Sequence, residues 1–151
     1  MNIIVCMKQV PKTEFELEIA DSKMNLKEEN LIFDVNEFDD YALEAALQLK
    51  EQHGGELVAV TMGPDRAREV LHLALAKGAD RAVHINDPLL VEADVNATAE
   101  VLARVIKGLK FDLILTGVEA TDDASAQTGV LLAEKLSLPH ATVVTKVTVE
   151  D

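Results

Sequence analysis

A chain of 151 residues, 48% of them hydrophobic, is long enough to bury a real core and fits one folded domain, not a disordered tail. Its formal charge of −13 argues against nucleic acid, whose phosphates need clustered Lys and Arg, and against an anionic membrane surface. Aromatic residues make up only 3% and Trp is absent, so the interior must be built from Leu, Val, Ile and Ala, which suits a parallel sheet covered by helices.

Taken in chain order, Asn2–Met7 is a continuous apolar run that ends at Lys8-Gln-Val-Pro11 and reads as a buried first strand. Phe15, Leu17 and Ile19 alternate with Glu14, Glu16 and Glu18, the period of a half-exposed strand. A short strand is expected near Asn30–Val35, after a polar connection over Asp21–Glu29. Asn36 is a good N-cap for a helix through about His53, with Phe38, Ala42, Ala45, Ala46 and Leu49 on its apolar face and Gly54-Gly55 at its end. Glu56–Met62 is the next strand. Gly63-Pro64 then opens a helix with Pro at its first position, Val70, Leu71, Ala74 and Leu75 inside, and Gly78 as its stop. Arg81–Asn86 reads as a strand and Asp94–Lys110 as a helix carrying Ala97, Val101, Leu102, Val105 and Ile106 at helical spacing. Strand Phe111–Thr116, helix Ala124–Leu136 and a β-branched strand Thr142–Val149 complete the chain. The repeated alternation of strand and helix predicts one α/β domain over 1–151: a doubly wound, mostly parallel sheet between helices, Rossmann-like and three-layered.

The segment Gly117 to Gly129 is the strongest functional candidate. A strand that stops at glycine, turns through small polar residues and enters a helix leaves several backbone N–H groups without partners, and these can hold an anion such as a phosphate. The expected cradle is the main chain near Asp123–Thr128, helped by the Ser125 and Thr128 hydroxyls. The same residues also read as an ordinary strand-to-helix connection capped by Asp122 or Asp123. Asn36-Glu-Phe-Asp-Asp40 and Met62-Gly63-Pro64 lie where they could face the same crevice, with capping and a tight turn as the alternatives.

Other residue types carry less. The one cysteine, Cys6, excludes an internal disulfide and reads as a small buried hydrophobe. No leader and no apolar run of membrane-spanning length is visible, so a cytoplasmic protein without membrane insertion is expected. His53, His72, His84 and His140 show no metal-ligand spacing. No Walker loop, no Gly-x-Gly-x-x-Gly and no nucleophile elbow occurs, and no group stands out as a general acid or base. The chain therefore reads as a holder of a nucleotide, not as an enzyme.

Several segments, in joint order and spacing, resemble the N-terminal part of the β subunit of electron-transfer flavoprotein. They are Ile3-Ile-Val-Cys-Met-Lys-Gln-Val-Pro11, Asn36 with Ala42-Leu-Glu-Ala-Ala-Leu47, Met62-Gly-Pro64, Ala74-Leu-Ala-Lys-Gly-Ala-Asp-Arg81, Asp112-Leu-Ile-Leu-Thr-Gly117, Asp122-Asp123 and Gln127-Thr-Gly129. The resemblance implies an adenine-nucleotide-binding α/β fold of the α-hydrolase-like type. It implies pairing with an α subunit in a heterodimer that carries FAD and shuttles electrons from dehydrogenases. It also implies an AMP in the β subunit, replaced by a second FAD in electron-bifurcating members. By matching position, adenine-side contacts fall on Cys6, Asn36, Glu37, Phe38, Asp39 and Met62. Phosphate-side contacts fall on Gly117, Ala120, Asp122, Asp123, Ser125, Ala126, Gln127 and Thr128.

Two departures accompany the likeness. Family members commonly carry Lys-Gln where this chain has Val118-Glu119, and Ile where it has Thr121. Family β subunits also run further, through a dehydrogenase-recognition loop and a C-terminal arm that the resemblance leaves beyond Asp151. The alternatives are a stand-alone ATP- or AMP-binding sensor resembling universal stress proteins and an adenylating ATP pyrophosphatase. The first lacks its second glycine here, with Ala120 in that position. The second lacks its Ser-Gly-Gly loop, with Lys8-Gln-Val-Pro-Lys-Thr13 after the first strand.

Overall fold

A computed structural model describes residues 1–12, 18–21, 26–27, 29 and 31–150. The expected alternation over Phe15 and Leu17 and the expected start at Asn30 lie outside the described residues. Strands β1 (Ile3–Cys6), β4 (Leu57–Met62), β5 (Arg81–Ile85) and β6 (Leu113–Thr116) form a parallel sheet in the order β5-β4-β1-β6. A separate antiparallel ribbon joins β2 (Gln9–Pro11) to β3 (Phe33–Val35).

The continuous apolar run at the N-terminus has a direct structural cause. β1 is central, paired with β4 on one side and β6 on the other, and all four of its residues are buried. Ile3 and Val5 face one core layer, with Leu43, Ala46, Leu49, Val70 and Leu71 from helices α1 (Glu37–His53) and α2 (Arg68–Lys77). Ile4 and Cys6 face the other, with Leu102, Ala103, Ile106 and Leu132 from α3 (Val95–Ile106) and α4 (Thr128–Leu136). Two helices therefore cover each face of the sheet, and no residue of β1 can be polar without meeting apolar neighbours. The chain runs from β1 outward to β4 and β5, then returns across the sheet to β6. That reversal puts a crevice beyond the carboxyl ends of the strands, where ligands sit in open α/β sheets.

Four expectations need correction. Thr142–Val149 is not a strand. Val143 and Val144 are 77% and 50% exposed, and no described residue pairs with the outer edge of β6. A β-branched sequence fits a pleated surface, but without a partner in register its preference is not expressed. Pro64 is not the first residue of a helix. It is extended and precedes a short 3-10 turn, Asp65–Ala67, before α2 begins. The last helix begins at Thr128, not Ala124, because Ala124 and Ala126 take φ of 49° and 53°, which no right-handed helix allows. The inner face of α1 is centred on Asp39, Leu43, Ala46 and Leu49, with Phe38, Ala42 and Ala45 only half-buried. A carboxylate on the buried stripe hides that stripe from a hydrophobicity pattern.

Candidate functional site

Asn36 and Asp39 explain why the loop after β6 takes the shape it does. Asn36 sits at the start of α1 and its carbonyl accepts from the amides of Asp39 and Asp40, but its side chain makes no cap bond. The side chain crosses to the loop instead. Its Nδ2 donates to the Glu119 carbonyl at 2.8 Å and its Oδ1 accepts from the Thr121 amide at 3.2 Å. Only 1% of Asn36 is exposed, so both bonds are made out of water, where leaving either group unpaired is expensive.

Asp39 performs the same task one turn further. Its two carboxylate oxygens accept from the amides of Lys8 and Gly117, each at 2.8 Å. It thereby ties the ends of β1 and β6 to α1. The close approach explains Gly117: a Cβ there would meet the Asp39 amide nitrogen and the Phe38 carbonyl carbon at 2.9 Å. Desolvation pushes the Asp39 carboxyl up to about 6, while the two amides and Lys8 pull the other way.

Beyond Thr121 the loop turns back on itself. The Ala124 amide donates to the Ala120 carbonyl at 2.8 Å, and the Ser125 amide donates to Asp123 Oδ1 at 2.9 Å. Ala126 has positive φ and Gln127 is right-handed, an alternation that turns successive amides toward one side. The amides of Ala126, Gln127 and Thr128 have no acceptor among the described residues, and they lead directly into the N-terminus of α4. Gly129 permits this packing, since a Cβ there would lie 2.6 Å from Thr116 Oγ1.

These amides open into a cavity of about 410 Å³ at the carboxyl ends of β1, β4, β5 and β6. Its walls are mixed: Cys6, Met62 and Ile85 at the strand ends, and Leu90, Val95 and Thr98 from the turn before α3 and from α3 itself. The β2–β3 ribbon closes one side. There the Arg66 guanidinium lies 3.7 Å from the centroid of the Phe33 ring and donates to Gln9 Oε1 at 2.9 Å. Cys6 is buried and desolvation, then the Asp39 charge, pushes its thiol up to about 12, so it is an apolar wall and not a nucleophile.

Twelve of the fourteen residues expected at the site line this cavity: Cys6, Asn36, Asp39, Met62, Gly117, Ala120, Asp122, Asp123, Ser125, Ala126, Gln127 and Thr128. Glu37 and Phe38 do not. Glu37 is exposed and accepts from the Tyr41 hydroxyl at 2.8 Å, and Phe38 faces a different groove beside β6. Sequence reasoning missed Lys8, Gln9 and Arg66. Lys8 carried a usable signal, since it is the first residue past the apolar stretch of β1 and lies at a strand's carboxyl end. Its Nζ reaches Asp122 Oδ1 at 2.6 Å and Asp123 Oδ2 at 3.0 Å. Gln9 and Arg66 carried none, because their pairing spans 57 residues of sequence.

The family model for the electron transfer flavoprotein domain matches residues 23–151. The chain belongs to the electron transfer flavoprotein domain family. It is 43% identical over 150 residues to the electron transfer flavoprotein subunit beta of Clostridium acetobutylicum, covering 99% of this chain and 58% of that protein. It is 40% identical over 146 residues to the corresponding subunit of Methylophilus methylotrophus, covering 95% of this chain and 55% of that protein. It is also 40% identical to the caffeyl-CoA reductase–Etf complex subunit CarD of Acetobacterium woodii, covering 100% of this chain and 58% of that protein. The chain thus spans little more than half the length of these relatives. Electron transport is the family's role, and among the described residues no helix is long and apolar enough to cross a membrane.

Proposed function

We propose that this chain holds an adenine nucleotide, AMP or FAD, in the crevice and pairs with an electron transfer flavoprotein α subunit. Electron transfer from dehydrogenases then belongs to the assembled complex, in the cytoplasm. The chain contributes no catalytic group of its own. The observation that carries this reading is the row of amides at Ala126, Gln127 and Thr128 with no acceptor among the described residues, in a loop whose first half, at Gly117, Glu119 and Thr121, is tied to α1 by the Asn36 and Asp39 side chains. Such amides at a helix N-terminus suit a phosphate, and a cavity of about 410 Å³ falls in the range of small-molecule sites. Cys6 and Met62 supply an apolar wall of the kind a base can lie against. A bound flavin would supply redox chemistry, and these residues would bind, orient and shield it. Denaturing the purified protein and identifying the released nucleotide by mass spectrometry tests the site. Affinity purification from cells co-expressing an α subunit tests the partnership, and failure to recover it counts against the pairing.

A further inference from the structure

The crevice has a charge problem. Asp39, Asp87, Glu119, Asp122 and Asp123 all line it, against Lys8 and Arg66 among the described residues. Arg66 is engaged with Gln9 and stacked on Phe33, on the side of the crevice that the β2–β3 ribbon closes. An anionic ligand on the Ala126–Thr128 amides would therefore meet two adjacent carboxylates, Asp122 and Asp123, in a chain whose net charge is already −13.

Lys8 answers that problem by its position. Its backbone is fixed twice: the amide donates to Asp39 Oδ2 at 2.8 Å, and the carbonyl accepts from the Asn36 amide at 2.9 Å. The side chain therefore leaves β1 at a set angle, and its ammonium bridges both aspartates. The same two residues that hold the loop also hold the backbone of the cation that neutralises it, Asp39 through its carboxylate and Asn36 through its main-chain amide.

We propose that Lys8 is the specificity-determining cation of this crevice: by gathering Asp122 and Asp123 into one ion cluster, it lets the following amides accept a phosphate. The inference rests on the nucleotide reading above. It makes Lys8 act on the charged tail of a ligand and not on its base. Half-exposed side-chain pairs of this kind are weak as stabilisers of a fold, so the effect belongs to binding.

The test compares AMP with adenosine by isothermal titration, using the full chain. For Lys8→Met, which keeps the aliphatic stem, AMP affinity should fall about 10- to 100-fold while adenosine affinity stays within about twofold. Adding Asp122→Asn and Asp123→Asn to Lys8→Met should bring AMP back to within about threefold of the native value, because nothing is left to neutralise. Asp123→Asn keeps the oxygen that accepts from Ser125, so the loop turn survives. Equal losses for AMP and adenosine overturn the proposal and leave the nucleotide site standing. An unrescued triple variant with native circular dichroism overturns the neutralising role. A native chain that binds neither ligand overturns the proposal together with the reading beneath it.

Discussion

Replacing Asp39 by Asn asks which of two opposed effects governs the centre of the site. The native carboxylate accepts two amides at 2.8 Å, an arrangement that favours ionisation. Only 6% of Asp39 is exposed, and that burial favours the neutral acid. The balance puts its pKa at about 6 against an ordinary value of 3.8. Between those values the fold holds the proton more tightly than the unfolded chain does. The stabilisation is therefore complete below 3.8 and is lost as the pH rises through about 6, by about 3 kcal/mol. Asn at this position has no such proton. It also turns an NH2 group toward one of the two amides, leaving a buried donor unsatisfied at a cost of about 1–3 kcal/mol. The variant should thus be clearly less stable than the native chain near pH 4, and the gap should shrink by about 2.5 kcal/mol toward pH 7.5. Urea unfolding followed by circular dichroism across that range measures the gap, and other titrating groups cancel in the difference. A gap that stays constant, or widens as the pH rises, refutes the reasoning and shows that the two amides outweigh desolvation.

Asn36→Ala removes both ties to Glu119 and Thr121 and should cost about 2 kcal/mol in thermal unfolding, with faster hydrogen exchange at the Thr121 amide. If exchange there is unchanged, the side chain does not hold the loop. Gly117→Ala places a Cβ against the Asp39 backbone and should cost about 2–3 kcal/mol, read from the shift in denaturation midpoint. The Cys6 thiol, pushed up to about 12 and 7% exposed, should resist iodoacetamide at pH 8 in the folded chain and react fully in urea, as followed by mass spectrometry. Leu132→Ala in α4, at a side chain 1% exposed, should lose about 2–4 kcal/mol, which a denaturant titration measures.

The amino-acid order alone determined the layer architecture. A run such as Ile3–Cys6 buried on both faces, helices with apolar residues at helical spacing, and glycines at Gly54 and Gly78 are local signals, because periodicity and turn chemistry act within a few residues. The loop after β6 was legible for the same reason: a strand, a glycine and a helix start in that order leave free amides. Tertiary structure decided what holds that loop. Asn36 bonds to residues 83 and 85 positions away, and Lys8 pairs with aspartates 114 and 115 positions away, distances over which no local pattern speaks. It also decided that Asp39 lies inside, against the hydrophobic pattern of its helix, and that Thr142–Val149 takes no strand form. In each case the deciding fact is which group faces which across the fold, and a polar side chain's worth depends on its partner and its burial more than on its type.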